Sequence, residues 1–213
     1  MTDRPLLILG VGSFAIETLE IAELSGGFRP LGFAVSARSP EGATHAGLPV
    51  YHADALPSEA VGALLIAGIV SSRRRGFIDQ MRARGFSFAT LVHPTAIVSP
   101  RAVLMEGAIV GAGVIVASNT HVGPYTLLNR GANVGHDNRL EQCVTFGPGA
   151  TTAGAVEVGA GAYIGVGAVV RDHLTIGAGA VVAAGAVVVK PVPAHVLVAG
   201  CPATPVRDGV DGL

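Results

Sequence analysis

His136 and Asp137 stand side by side in the run Val134-Gly135-His136-Asp137. An imidazole beside a carboxylate can act as a general base, because the acid fixes the ring's tautomer and raises its basicity. Neighbouring residues in a strand point to opposite faces, so this pair can close only where the chain turns. Counting 18 residues on from His136 reaches Gly154. In a chain that repeats with that period, a bare glycine would be stacked directly above the imidazole, and its N–H could hold a developing oxyanion. A solvated turn histidine would occupy the same position, so the surrounding elements decide what the pair can do.

Those elements repeat every six residues. Val98, Leu104, Val110, Val116, Val122, Leu128, Val134, Leu140, Phe146, Thr152, Val158, Ile164, Val170, Ile176, Val182 and Val188 are large and apolar except for Thr152, and none is charged. Four residues after an anchor comes a small or mainly β-branched residue, such as Ala108, Thr120, Ala132, Ala150, Ala162, Ala168, Ala180 or Ala186. Three after it, Gly, Asn or Asp recurs, as in Gly107, Asn119, Asp137, Gly149 and Gly167. A period of six is neither helical nor simply alternating; it is the hexapeptide repeat of a parallel β-helix. The anchor and the small residue point inward, and the Gly/Asn/Asp position is a corner where positive φ is tolerated. Three faces and three corners make a coil of 18 residues, so the 16 hexads predict a little over five coils. His136 and His173 fall on corners; His121 lies beside an anchor; His45, His52 and His93 precede the repeat and His195 follows it.

Ahead of the repeat the pattern changes to strands and helices. Pro5–Leu9 reads as a buried parallel strand, and Phe14–Leu24 as a helix that Gly26-Gly27 stops. Leu31–Val35, a segment within Gly62–Ile69 and Phe86–Leu91 read as further strands, with a basic amphipathic helix over Ser71–Arg84. This order predicts a small Rossmann-like α/β unit over 1–92, a β-helix over 93–193 and a Pro-rich tail over 194–213. The fold class is therefore mainly β, a parallel β-helix preceded by an α/β domain.

Composition narrows the function. Of 213 residues 14% are charged, and the net charge of −1 offers no basic field for nucleic acid or anionic lipid. The longest apolar run, about Leu174–Val189, is rich in Gly and Ala and shorter than a spanning helix needs. The N-terminus has no signal-peptide pattern. Cys143 and Cys201 cannot build a disulfide framework, so a reducing cytoplasm is expected. Nothing near Cys143 in sequence would lower its pKa, so it is not expected to act as a nucleophile.

Three features together resemble one family. They are the hexads, the element Val198-Ala199-Gly200-Cys201-Pro202-Ala203 ahead of Val206-Arg207, and Ile8-Leu9-Gly10-Val11-Gly12 combined with the His136-Asp137 pair. The chain is similar to the hexapeptide-repeat sugar O-/N-acyltransferases, which include nucleotide-4-amino-sugar N-acetyltransferases and sialic-acid O-acetyltransferases of bacterial glycan synthesis. The resemblance implies a left-handed β-helix and a homotrimer with active sites between subunits. It also implies direct acetyl transfer from acetyl-CoA to a nucleotide-linked amino sugar, with no metal. His136 would be the base, with Asp137 as its partner and Gly154 as the oxyanion amide. Thr145 occupies the position of a second family histidine that touches the acetyl group, and Asn129 matches a family asparagine that orients base or substrate. Gly165, Val166, Gly167, Ala184 and the turn Gly200, Pro202, Ala203 would form a smooth groove for coenzyme A, with Lys190 or Arg207 meeting a phosphate. Gly10, Gly12, Ser13, Ser36, Gly68 and Arg73 would receive the nucleotide sugar.

The motif Gly10-Val11-Gly12 lacks the third glycine of a dinucleotide fingerprint, and Ser36-Ala37 offers no acid for a ribose, which argues against NAD. The same absence departs from relatives whose second strand ends in acidic residues, so the base stays open. The run Arg73-Arg74-Arg75 could attract a diphosphate or simply be a solvated helix face. Three other functions compete: sugar or sialic-acid O-acetylation, γ-type carbonic anhydrase and an inert scaffold. No pair of closely spaced histidines lies in the repeat for a zinc site, and the His-Asp corner argues against a scaffold.

Overall fold

The computed structural model describes residues 3–36, 42–72 and 74–213. The chain opens with β1 (Arg4–Leu9), α1 (Ser13–Ser25) and β2 (Phe28–Val35), followed by β3 (Thr44–His45), β4 (Leu48–His52), β5 (Leu64–Ala67) and α2 (Arg74–Ala83). Among the described residues these strands form one sheet in the order β3-β4-β2-β1-β5. The pairs β1/β2, β1/β5 and β2/β4 are parallel, and β3/β4 is antiparallel. Helix α1 starts at Gly12 and ends where Gly26 and Gly27 take φ of 69° and 73°. Its Ala15, Leu19 and Ala22 are buried with Leu6, Ile8 and Ile66 of the sheet.

The expected strand over Phe86–Leu91 is absent as such. Phe88 makes a single bridge to Leu65, and Leu91-Val92 instead becomes the first rung of the β-helix, β6 (Leu91–Val92). Two-residue strands then recur every six residues, from β7 (Ile97–Val98) to β22 (Val187–Val188). Each pairs in parallel with the strand 18 residues away, as Asn133 does with Ile115 and Thr151. The stacking fits a left-handed β-helix. Among the described residues it forms three sheets, of six, five and eight strands. We call them face one (from Ile97), face two (from Val103) and face three (from Leu91).

The corners explain the hexad. Every position three after an anchor, from Gly107 to Gly185, has a φ between 55° and 72°. Tyr125, Cys143, Ala155 and His173 adopt it despite lacking a glycine's freedom. Inside, the anchors and the alanines four residues after them pack into one continuous cluster, with Ala108, Ala132, Ala150, Ala162, Ala168, Ala180 and Ala186 fully buried. The C-terminal segment is no loose tail. Strand β23 (Val196–Gly200) joins face three beside Val181–Val182, and β24 (Ala203–Asp208) returns antiparallel to it through a turn with a cis Cys201–Pro202 bond.

The two halves share a core. Leu91, Ile109 and Leu127 point outward from face three and are buried against α1 and the small sheet. Face three is thus covered by the N-terminal half, whereas face one leaves Ile97, Ile115 and Val169 at 66%, 40% and 42% exposure.

The anchors from Val110 to Val188 are buried in the β-helix interior. Replacing the fully buried Ile164 by alanine is expected to destabilise the fold by about 2–5 kcal/mol, read as a lower denaturant midpoint at unchanged slope. A change within about 0.5 kcal/mol would mean the interior is not close-packed at that coil.

Candidate active site

His136 lies on the corner between β13 (Asn133–Val134) and β14 (Arg139–Leu140). The chain bends there because Asp137 takes a φ of 57°, which swings its carboxylate back beside the ring. The Nδ1–H of His136 donates to Asp137 Oδ2 at 2.7 Å. An ionised carboxylate only accepts, so in the neutral ring Nδ1 carries the proton and Nε2 keeps its lone pair. Asp137 is fixed from its other side as well. Asn119, one coil below, donates from Nδ2 to Asp137 Oδ1 at 3.1 Å. The hydrogen bonds from His136 and then Asn119 hold the Asp137 carboxyl below the usual carboxylate range. Asn119 reads in the sequence only as a corner residue. The same step of 18 that leads from His136 to Gly154 leads back from Asp137 to Asn119.

The structure brings Gly154 to His136 as expected and adds a reason for the glycine. A Cβ at that position would lie 2.5 Å from Cε1 and 2.6 Å from Nε2 of the ring. The imidazole therefore leans up one coil and occupies the space a side chain would take. Among the described residues the Gly154 N–H donates to no protein acceptor. The His136 side chain is 66% exposed, so this chain alone does not enclose the corner.

The remaining candidates separate onto two edges. Lys190 shares the His136 edge, stacked above Asp172 in the register that pairs Val169 with Val187. Gly165, Val166, Gly167 and Ala184 lie on the opposite border of face one, where a Cβ on Gly165 would strike Ala184 N at 2.6 Å. The turn Gly200, Pro202, Ala203 continues this second edge, because Leu197 and Val198 pair with Val181 and Val182. Asn129 is lower on the same edge, 7% exposed, with Oδ1 accepting from Arg130 N.

Thr145 does not join this edge, which corrects its expected contact with an acetyl group. It lies on face three, 3% exposed, and its Oγ1 accepts from Arg74 Nη1 at 2.7 Å. Within the arginine run Arg75 is exposed, but Arg74 is neither a solvated residue nor open to a diphosphate. Arg74 is 1% exposed, and its guanidinium donates to the carbonyls of Val70, Tyr125, Cys143 and Val144. Burial lowers its pKa to about 10, so it remains charged at neutral pH. It pins α2 to the edge between faces two and three. Arg73 lies outside the described residues, as does Ala37. Cys143 is buried, and burial raises its thiol pKa, which keeps it unreactive.

In the N-terminal half, Gly10, Gly12, Ser13 and Ser36 converge at the ends of β1 and β2 and the start of α1, with Gly10 N–H donating to Ala34 O. Gly68 is buried next to them for packing: a Cβ there would meet Ala15 Cα at 2.8 Å. From this cluster one face of α1 borders a cleft of about 280 Å³ lined by Phe14, Glu17, Ile21, Leu24, Asn129 and Arg130. Arg130 reaches Glu17 across it at 3.4 Å.

No protein-family model matches the chain. Its fold does match solved structures along nearly its whole length. PerB from Caulobacter crescentus, in complex with CoA and GDP-perosamine, is 35% identical with a TM-score of 0.87, covering 95% of this chain and 97% of that one. The acetyltransferase domain of PglB from Neisseria gonorrhoeae, in complex with acetyl coenzyme A, is 30% identical with a TM-score of 0.86, covering 96% and 100%. In sequence, GDP-perosamine N-acetyltransferase of Escherichia coli O157:H7 is 37% identical over 92 residues, 43% of this chain. The chain spans 42% of the length of that curated relative in the match.

The double grip on Asp137 is testable by carboxyl NMR. Its titration midpoint is expected below that of an ordinary exposed aspartate, and Asn119→Ala is expected to move it up while the His136 bond, the larger cause, keeps it below the usual value. An ordinary midpoint in the wild type would contradict the geometry.

Proposed function

The chain belongs to the hexapeptide-repeat β-helix acyltransferase family, and on that premise we propose that it transfers an acetyl group from acetyl-CoA to the amine of a nucleotide-linked amino sugar. The carrying observation is the His136 ring, held by Asp137 with Nε2 free and lying against Gly154. In the proposed step the substrate nitrogen attacks the thioester carbon. As the C–N bond forms, Nε2 takes the amine proton, and the Gly154 N–H donates to the oxyanion. Collapse of the tetrahedral intermediate breaks the C–S bond, and the imidazolium returns its proton to the departing thiolate. Transfer is direct, so no acyl-enzyme is required.

The proposed binding sites follow the two edges. Coenzyme A would run along the small-residue edge of Gly165, Val166, Gly167, Ala184, Gly200, Pro202 and Ala203. Lys190 would supply a cation at the far end of the His136 edge, three coils above the base at roughly 4.8 Å per coil. The nucleotide would sit in the Rossmann-like N-terminal half, its phosphates at the start of α1 beside Gly10, Gly12, Ser13 and Ser36. The sugar would enter the cleft beside Asn129. Arg74 and Thr145 serve to fix the two halves rather than to touch substrate.

One chain cannot join the two edges, because face one separates them. A homotrimer packed through face one would bring the His136 edge of one copy beside the Gly165 edge of the next. The exposed Ile97 and Ile115 on adjacent coils, with Val169 higher on the same face, support that reading. The proposed setting is cytoplasmic glycan biosynthesis, where activated sugars and acetyl-CoA meet.

A thiol-release assay tests the activity. Acetyl-CoA with GDP-perosamine, then UDP-, GDP- and dTDP-linked amino sugars, is expected to give stoichiometric free thiol, with none from hydroxyl-only analogues. His136→Ala, still folded, should lose about 10²–10⁴-fold in kcat. Release with hydroxyl substrates alone would favour O-acetylation, and an active His136→Ala would refute the mechanism. Assembly is checked by sedimentation: the wild type should be a trimer and Ile115→Lys a folded, inactive monomer. A fully active wild-type monomer would contradict the shared site.

A further inference from the structure

The inward position four residues after each anchor is small or apolar along most of the β-helix, but at the His136 corner it is Asn138. Its side chain is 1% exposed inside the coil. Nδ2 donates to Gly135 O at 2.6 Å and to Ala153 O at 2.9 Å, and Oδ1 accepts from Val156 N at 3.1 Å. The amide therefore ties the coil that carries His136 to the coil that carries Gly154.

Ala153 O and Gly154 N–H belong to one peptide unit. In a planar trans peptide the C=O and N–H point in opposite directions. A donor in the interior that holds Ala153 O inward consequently turns the Gly154 N–H outward, to the side where the His136 ring lies. Building on the acetyl-transfer reading above, we infer that Asn138 is a positioning residue for the reaction: it aims the Gly154 amide at the oxyanion from inside the coil, without touching substrate.

The fold supplies a matched pair of variants. One coil below, Thr120 occupies the position equivalent to Asn138, and its Oγ1 donates to Gly135 O, the equivalent of Ala153 O, at 2.6 Å. Thr126 repeats the arrangement with Glu141 O at 3.0 Å. Asn138→Thr should thus restore the donor to Ala153 O, while Asn138→Val has the same shape and no donor. One coil above, Val156 already fills this position.

The experiment measures kcat per coenzyme A-binding site, counted by calorimetry, together with KM for both substrates. Asn138→Thr is expected within about threefold of wild type. Asn138→Val is expected to lose about ten- to a hundredfold in kcat with both KM values and the pH midpoint of kcat unchanged. Equal kcat for the two variants, or a loss confined to KM, overturns the inference. A wild type that releases no thiol refutes the acetyl-transfer reading instead. Amide exchange in the wild type tests the aim itself and needs no variant. The Gly154 N–H should exchange freely while the Ala155 N–H, bonded to His136 O at 2.9 Å, is protected. A protected Gly154 amide would overturn the inference even if neither variant folds.

Discussion

The 18-residue register of the parallel ladder is the constraint on which the site depends. Backbone hydrogen bonds such as those of Gly135 N–H to Thr152 O and Ala153 N–H to Val170 O stack each corner above the corner one coil before it. The stack converts sequence distance into height. It lays the His136 ring against Gly154, puts Asn119 beneath Asp137, and carries the same edge up to Lys190. A single inserted residue would move every later side chain to a different place on the triangle, and the imidazole would face something other than a bare glycine.

Chemistry on such a frame needs few moving parts. The left-handed backbone at Asp137 bends the carboxylate to its own neighbour, which a flat strand could not do. An apolar interior penalises an unpaired polar group; Thr152 Oγ1 is left without a partner, but at this corner the inward Thr120 and Asn138 bond to carbonyls of the peptide units around His136 and Gly154. Rigidity comes from the ladder and orientation from a few side-chain hydrogen bonds. The N-terminal half is held against face three by shared apolar packing and by the buried Arg74, which ties α2 to two adjacent coils. That coupling would keep a substrate held by one half at a constant distance from the groove on the other.

Much of this was legible in the residues. Anchors such as Val134 and Ile164 reveal the period, Gly107 and Asp137 reveal the corners, and the period then relates His136 to Gly154 by arithmetic. Local pattern could not reveal contacts between the halves. Arg74 stands in a run of arginines that reads as a solvated face, and only the placement of α2 on the β-helix shows it buried. The separation of Thr145 from His136 points to the acetyl group, but Thr145 is buried under the N-terminal half and bonded to Arg74. The outward Ile109 and Leu127 carry a hint of that cover, because apolar residues just before two successive anchors of one face, Val110 and Leu128, pack best against a neighbour. Asn138 was readable too: an amide where the repeat asks for a small apolar residue marks a local conflict, and such conflicts gather at functional sites.

The central claim is that neutral His136 carries its proton on Nδ1, facing Asp137, and presents an unprotonated Nε2. The ¹⁵N spectrum of the folded protein with labelled histidine rings, assigned by comparison with His136→Gln and recorded where the imidazole is neutral, reads this directly. The account predicts a protonated-type Nδ1 resonance and a lone-pair-type Nε2 resonance for His136. The opposite tautomer, with the proton on Nε2, would leave no base pointed at the substrate and would contradict it.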